Sequence, residues 1–526
     1  MSSAARHDVV IVGGGHNALV AAAYLARAGH SVVVLERLDR FGGAAVSESP
    51  WPGVAARISR YSYLVSLLPR TILADLGISL ALRRRRYSSY TPLPEDPTCG
   101  ILVDNGDAGA TAASFVRSTG DPDEAERFAA LGRRLRPLAA AVFPTVTAPL
   151  PRADAVRARI GDDALWDAVT ERPLGSFLRA SLDSDLTRGI ALTDGLIGTF
   201  ATADDLSLRQ NRCFLYHVVG GGTGDWDVPV GGMGQLSAAL EHAARTAGAQ
   251  LRANAAVTAV TPDGEVQLSD GSTVAGRLVL SGVGPAVLRA LLRAGGVDAT
   301  EGEPPEGAQV KVNMLLSRLP RLRDDRVAPE AAFAGTFHIN ETLTQLDSAH
   351  ATAASGGIPT PLPAEIYCHS LTDPSILGPA LRASGAQTLT LFGLQVPHRL
   401  VRDAGDRGAL RTALRDAALS SLDAVLAEPI TDCLFETPDG EPCIEVRTTG
   451  DLEDELGMAG GDIFHGPLAW PWADEDEPRD TPAQRWGVET PHPRILLCGA
   501  GARRGGAVSG IGGHNAAMAA LELLAR

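Results

Sequence analysis

Apolar positions are phased differently in successive parts of the chain. Val9-Val-Ile-Val12 is a short, unbroken, β-branched run closed by glycines, the pattern of a strand buried on both faces. An alanine-rich stretch beginning at Ala18 reads as a helix that Gly29 ends, and Ser31-Val-Val-Val-Leu35 reads as a second buried strand. Further on, Leu236, Ala239, Leu240, Ala243, Ala244 and Ala247 recur at helical spacing up to Gly248. Asp263-Gly264 and Asp270-Gly271 then divide short alternating segments into an antiparallel meander, and Arg277-Leu-Val-Leu280 returns as a buried strand. Trp51 to about Leu82 is loop-rich and then helical, and Thr111 to Thr202 reads as helices. Val310–Leu316 and Gln387–Phe392 are strand-like, Gly335–Pro363 reads as a long insertion or lid, and Ala473–Pro482 reads as an exposed linker. Arg494–Cys498 is a last strand and Ala516–Leu524 a closing helix.

The turn between the first strand and helix is where chemistry enters. Gly13-x-Gly15-x-x-Ala18 has the dinucleotide-binding spacing: a glycine for the tight turn, one for close approach of a pyrophosphate, and a small residue for helix–strand packing. Glu36 ends the second strand twenty-three positions after Gly13, where a carboxylate accepts hydrogen bonds from both ribose hydroxyls and repels a 2′-phosphate. NADP is therefore disfavoured. Strand, turn, helix, second strand and acid all fall where a nucleotide site needs them.

Past the acid, Arg37 and Arg40 precede a second glycine pair, Phe41-Gly42-Gly43-Ala44-Ala45. This resembles the E-R-x-x-x-x-G-G signature of the flavin amine oxidase and phytoene desaturase superfamily. His16-Asn17 and Gly42-Gly-Ala-Ala-Val46 are most similar to the branch of bacterial phytoene dehydrogenase-related proteins and pyridine nucleotide-disulphide oxidoreductase domain-containing protein 2. Ala44 stands where amine oxidases usually carry an arginine, so that arginine's role does not transfer.

The resemblance covers nearly the whole chain and implies an α/β fold. A Rossmann-like FAD-binding domain would be built from residues 1–85, 218–300 and 485–526, and an α+β substrate-binding domain from 86–217 and 301–484. It implies FAD contacts at Gly13, Gly15, His16, Asn17, Ala18, Glu36, Arg37, Gly42, Gly43 and Ala44, with Val257 near the adenine. The resumed nucleotide domain adds Gly232 and Met233, and the C-terminal glycine segment adds Gly499, Gly501, Gly510, Ile511 and Asn515 against the flavin ring. Backbone N–H groups at the start of the closing helix would stabilise the negative charge of reduced flavin. Trp226, in the glycine-rich stretch Gly220–Trp226, is expected near flavin or substrate, or else anchors a mobile loop.

Composition removes other function classes. Lys+Arg 47 against Asp+Glu 62 gives −15, so no nucleic-acid footprint is expected. At 526 residues the chain suits two large domains, and its 45% hydrophobic content is that of a globular protein. The six cysteines form no C-x-x-C, which disfavours dithiol chemistry and a zinc site; no metal is expected. The first strand leaves no room for a removable signal, and Pro137–Pro151 is too short and broken to span a membrane, so a cytoplasmic protein is expected. Arg83–Arg86 is the kind of run a membrane surface or an anionic substrate engages, but in an acidic chain it is ordinarily a solvated face.

The expected partners are a small organic substrate and oxygen or another electron acceptor. FAD-dependent hydride removal from an apolar or conjugated substrate leads. Amine oxidation, redox-neutral isomerisation and a flavin-stabilised interaction protein remain as alternatives. Candidate catalytic side chains are His16 and His514, each beside a glycine motif, and Lys311, the one lysine among 47 basic residues. Alternation puts Lys311 and Asn313 on one face of their strand, so the pair is expected to face the flavin cavity, against the bland reading of a surface lysine. In several flavin amine oxidases a lysine on the corresponding strand holds a water near flavin N5.

Overall fold

The computed structural model describes residues 5–298 and 302–525. Among the described residues the strands form two seven-stranded sheets and two short two-stranded ones. In the first, β1 (Ala5–Val12) lies between β2 (Val32–Leu35) and β3 (Thr273–Ser281), parallel to both. Strand Gln250–Arg252 extends the sheet beyond β2. The opening half of β3 pairs antiparallel with Glu265–Leu268, while its closing residues Val279–Ser281 pair parallel with Ile495–Leu497. The meander and the last strand thus share one strand. Gly264 and Gly271 take φ of +93° and +81°, the left-handed conformation that the Asp-Gly turns require.

Helix α1 (His16–Arg27), helix α2 (Gly234–Thr246) and the closing helix α3 (Ile511–Leu524) pack over this sheet. Val9, Ile11, Leu19, Val34, Leu240 and Leu496 are fully buried between them. Each such side chain contributes about 1.5–3 kcal/mol. A Cβ at Gly513 would stand 1.9 Å from the Asn17 carbonyl oxygen, so α3 approaches α1 closely only because that position is glycine.

The second sheet runs Ile444–Thr448, β4 (Gln309–Leu316), Gln387–Leu394, Ala364–Tyr367, Thr336–Ile339, Tyr87–Leu93 and Asp96–Asp104. β4 is antiparallel to both neighbours and wholly buried. Gly335–Pro363, expected as a lid, instead supplies the interior strand Thr336–Ile339 and helix Leu343–Ala354. Thr336 and His338 break up that strand's apolar pattern and hid it. Helices from Ala108 to Val218 pack on one another around Leu138, Leu165, Leu178 and Phe214 and roof this sheet. Among the described residues no helix is long and apolar enough to cross a membrane, and all six cysteines are free thiols.

Candidate functional site

The C-terminal ends of β1, β2 and β3 and the strand Ile495–Leu497 meet at one rim of the first sheet. From this rim a cavity of about 710 Å³ runs to the second sheet. Such a rim, outside the carboxyl ends of parallel strands, is where open α/β sheets bind ligands.

At the near end the wall is Gly13, Gly15, His16, Asn17 and Ala18 with Glu36, Arg37, Gly43 and Ala44; Val257 and Gly499 complete it. A Cβ at Gly15 would meet nothing within 4 Å, so this glycine leaves backbone open to whatever fills the cavity. Glu36 is held by its own turn: Gly14 N–H donates to Oε2 at 2.6 Å and Leu38 N–H to Oε1 at 2.9 Å. Its carboxylate is thereby fixed at the cavity wall. Asn17 Oδ1 and His16 Nε2 are buried and have no protein partner, as expected of groups that meet a ligand. Arg37 lines the cavity but donates to the Asp454 and Glu455 carbonyls, so it braces the wall.

Several expected contact residues lie outside the cavity. Gly42 supports the first turn from behind through its N–H to the Gly14 carbonyl (2.9 Å), with φ +115° and Ser237 against its Cα. Gly232 faces Ser47, and Met233 is a core residue packed with α1 and α2. Gly501 packs on Pro285. Gly510 abuts Val20, Ile511 is fully buried, and Asn515 spends its amide on the Val146 carbonyl at 3.0 Å. His514 stands edge-on to Tyr24 at 5.1 Å and near Trp486 at 6.0 Å, with Nδ1 on Asn515. It is packing between α1 and α3, not an acid or base facing the cavity. Gly506, Ala507 and Val508 form the wall in place of this segment. Gly501 and Gly510 are thus close-packing positions, against Pro285 and Val20, while Gly513 is what lets α3 approach α1.

At the far end the wall is mostly apolar, with Leu64, Leu131, Ile197, Phe214, Phe392 and Phe464. Lys311 enters it from β4. The lysine is 4% exposed, contrary to the surface reading; Nζ donates to the Ser59 and Tyr61 carbonyls (2.9 and 2.8 Å) and sits 4.6 Å from the Tyr63 ring centroid. Burial lowers its pKa to about 7; the Glu445 carboxylate opposes the shift and the Arg60 guanidinium reinforces it. Asn313 does not join it at the cavity, because Glu445 accepts from its amide (2.9 Å) and Thr390 donates to its carbonyl (3.0 Å). Trp226 lines the cavity and stacks on His217 at 5.1 Å.

Sequence reasoning missed the polar cluster beside Tyr63. Antiparallel register sets His338 opposite Glu365. His338 Nδ1 is 2.6 Å from Glu341 Oε2, and the Tyr367 hydroxyl donates to Glu365. Asp194 closes the group at the end of its helix. Burial raises the pKa of all three acids, Asp194 to about 6, and lowers that of His338. Arg85, from the run expected to be a solvated face, borders the cavity over the Tyr367 ring. The available signal was a histidine and a glutamate set mid-strand in two short buried segments, Thr336-Phe-His-Ile339 and Ala364-Glu-Ile-Tyr367. His465 was also missed; it lines the cavity near Gly284 and Gly501.

Residues 11–72 match the NAD(P)-binding Rossmann-like domain family. The chain is 54% identical, across 98% of its own length and 97% of the relative's, to an uncharacterized protein of Mycobacterium tuberculosis. It is 28% identical to mouse pyridine nucleotide-disulfide oxidoreductase domain-containing protein 2, covering 97% of this chain and 92% of that one. The chain belongs to one family with the mycobacterial protein and is homologous to the mouse one. Its fold is that of the flavin-type oxidoreductases: cyclohexylamine oxidase from Brevibacterium oxydans superposes with a TM-score of 0.57 at 16% identity, covering 99% of this chain and 100% of the other. In this family member the dinucleotide cradle and the apolar chamber are two ends of one cavity.

Proposed function

We propose that the protein is an FAD-dependent oxidoreductase that removes a hydride and a proton from a largely apolar or conjugated organic substrate. The observation that carries this reading is the continuity of the cavity from the Gly13–Ala18 turn to the apolar chamber. The residues present fit FAD: backbone open at Gly15, a carboxylate pre-set for ribose at Glu36, and buried unpartnered atoms on His16 and Asn17. When bound, FAD supplies a hydride acceptor.

The remaining tasks fall to the chain. The N-terminus of α1, at the cavity wall, would hold the diphosphate and favour its charge. Phe214, Phe392 and Phe464 exclude water from the substrate. Glu365, tied to Tyr367 and facing His338, is placed to take the substrate's proton, and Glu341 to hold the His338 ring in position. Lys311 holds a polar point in an apolar wall, suited to a water that assists electron transfer to oxygen or another acceptor.

Amine oxidation is the second reading, favoured by the Asp194 and Glu365 carboxyls at the cavity wall and by the fold shared with cyclohexylamine oxidase. Chromatography of the released cofactor tests the first element: FAD is expected, and NAD alone would overturn it. Untargeted metabolite comparison with and without the active protein then finds the substrate. A product lighter by two hydrogens supports dehydrogenation, while a product of unchanged mass identifies an isomerase and refutes it.

A further inference from the structure

A dinucleotide brings a doubly charged diphosphate, against which one helix N-terminus sets about half a charge. The arginines of the cavity wall are already engaged. Arg37 is bound to carbonyls, Arg60 and Arg447 to Glu445, Arg84 to Asp225 and Asp227, and Arg85 to Thr336. Two imidazoles are not. His16 opens α1 and bonds the Ala507 backbone through one ring nitrogen, leaving Nε2 buried and unpartnered. His465 reaches the same wall from the loop after Gly461, and its Nδ1 is likewise buried and unpartnered. Its backbone is held at φ +64°, and its ring lies against Gly284, where a Cβ would be 3.1 Å from its own. A non-glycine residue in the left-handed region costs energy that the surroundings must offset, which fixes this ring at the rim where β3 ends.

We propose that His16 and His465 form a paired imidazole seat for the diphosphate and ribityl part of the bound dinucleotide, and that the pair takes up a proton as the cofactor arrives. The proposal rests on the FAD reading above. Without an anion the two rings disfavour charge: burial holds each near a pKa of about 4, and the His465 ring adds to the depression at His16. No other titratable group counters this. α1 and the Gly282–Gly284 turn present none to the pair. On the His465 loop, Asp462 spends its carboxyl on the Phe464 N–H (2.8 Å). In the turn before α3, Arg503 is paired with Glu477, and Arg504 donates to the Thr145, Ala148 and Trp486 carbonyls. A diphosphate is the counter-charge the pair lacks, so a proton moves from solvent to a ring nitrogen when it binds.

Calorimetric titration of FAD into the apoprotein near about pH 6, in two buffers of different ionisation heat, counts the protons. Uptake of about one proton per FAD is expected, with the dissociation constant rising about tenfold per pH unit between the free rings' pKa of about 4 and the higher pKa of the bound pair. His465→Gln and His16→Gln should each remove most of the uptake while the apoprotein keeps its circular dichroism. Equal heats in both buffers, or full uptake retained in both variants, overturns the pair. If a variant fails to fold, phosphorus NMR of FAD bound to the wild type decides: resonances that titrate over the same range support the seat, and invariant ones refute it. Wild-type apoprotein that binds no FAD overturns the cofactor reading itself, whereas binding without proton uptake overturns only the pair.

Discussion

Because Lys311 is the single lysine of the chain, its protonation can be read without assignment. Labelling with isotope-enriched lysine gives one side-chain resonance, and its pH titration should have a midpoint at about 7. The fall from the ordinary value near 10.4 corresponds to about 4–5 kcal/mol of burial cost on the ammonium. At pH 7.5 roughly a quarter of the molecules would carry the charge. Between these two values the folded protein holds fewer protons at this site than the unfolded chain, so the site's contribution to stability rises with pH across that window. Lys311→Met removes that dependence and leaves the Ser59 and Tyr61 carbonyls without their donor, a loss of about 1–3 kcal/mol. The variant should retain its cofactor yet slow oxygen-dependent flavin reoxidation far more than substrate-dependent reduction. A resonance that titrates near 10 would refute the buried-amine argument. Unchanged reoxidation in stopped flow would show that the amine, however perturbed, takes no part in electron transfer.

Glu36→Ala should weaken FAD binding by about 1.5–3 kcal/mol, measured by FAD fluorescence; wild-type retention would remove Glu36 from the site. Gly513→Ala drives a methyl into the Asn17 carbonyl, so both Tm and cofactor content should fall together, and an unchanged crystal packing of α1 on α3 would contradict this. His514→Asn should leave the pH–rate profile and flavin spectrum unchanged while lowering Tm, since the ring packs on Tyr24 and Trp486. Burial holds the Glu365 proton to higher pH than in the unfolded chain, so stability is lost as pH rises through that raised pKa. Glu365→Gln should therefore lose less Tm than wild type as pH rises above the ordinary carboxylate range, and an identical loss would place no titration there.

The nucleotide half of the fold was legible because its rules are local. A strand, a glycine turn and an acid at the next strand's end bind one another through adjacent backbone, as the Gly14 to Glu36 bond does. The C-terminal glycines divide for a related reason: a glycine that opens onto a cavity and one that admits neighbouring packing look alike in sequence, and only the contacts of Gly501 with Pro285 and Gly510 with Val20 separate them from Gly499, which lines the wall. The far chamber was illegible because it is made by register. Nothing in the spacing of His338 and Glu365 announces that two strands twenty-five residues apart will set them face to face. Lys311 was singled out by its rarity, but its burial depends on Tyr61 and Tyr63, some two hundred and fifty residues earlier.

The sharing of β3 between the meander and the strand Ile495–Leu497, with α3 seated on α1, also sets an order of events during synthesis. The first helix leaves the ribosome with its inner face uncovered and waits for residues 511–524 to cover it. At bacterial or eukaryotic elongation rates that wait is roughly 25–100 s. Throughout it, the face of α1 that α3 covers is without its final partner. Expression yield should therefore respond to holdase chaperones and growth temperature more than to changes in the second half's own stability, and chains stalled before residue 495 should be recovered as aggregates.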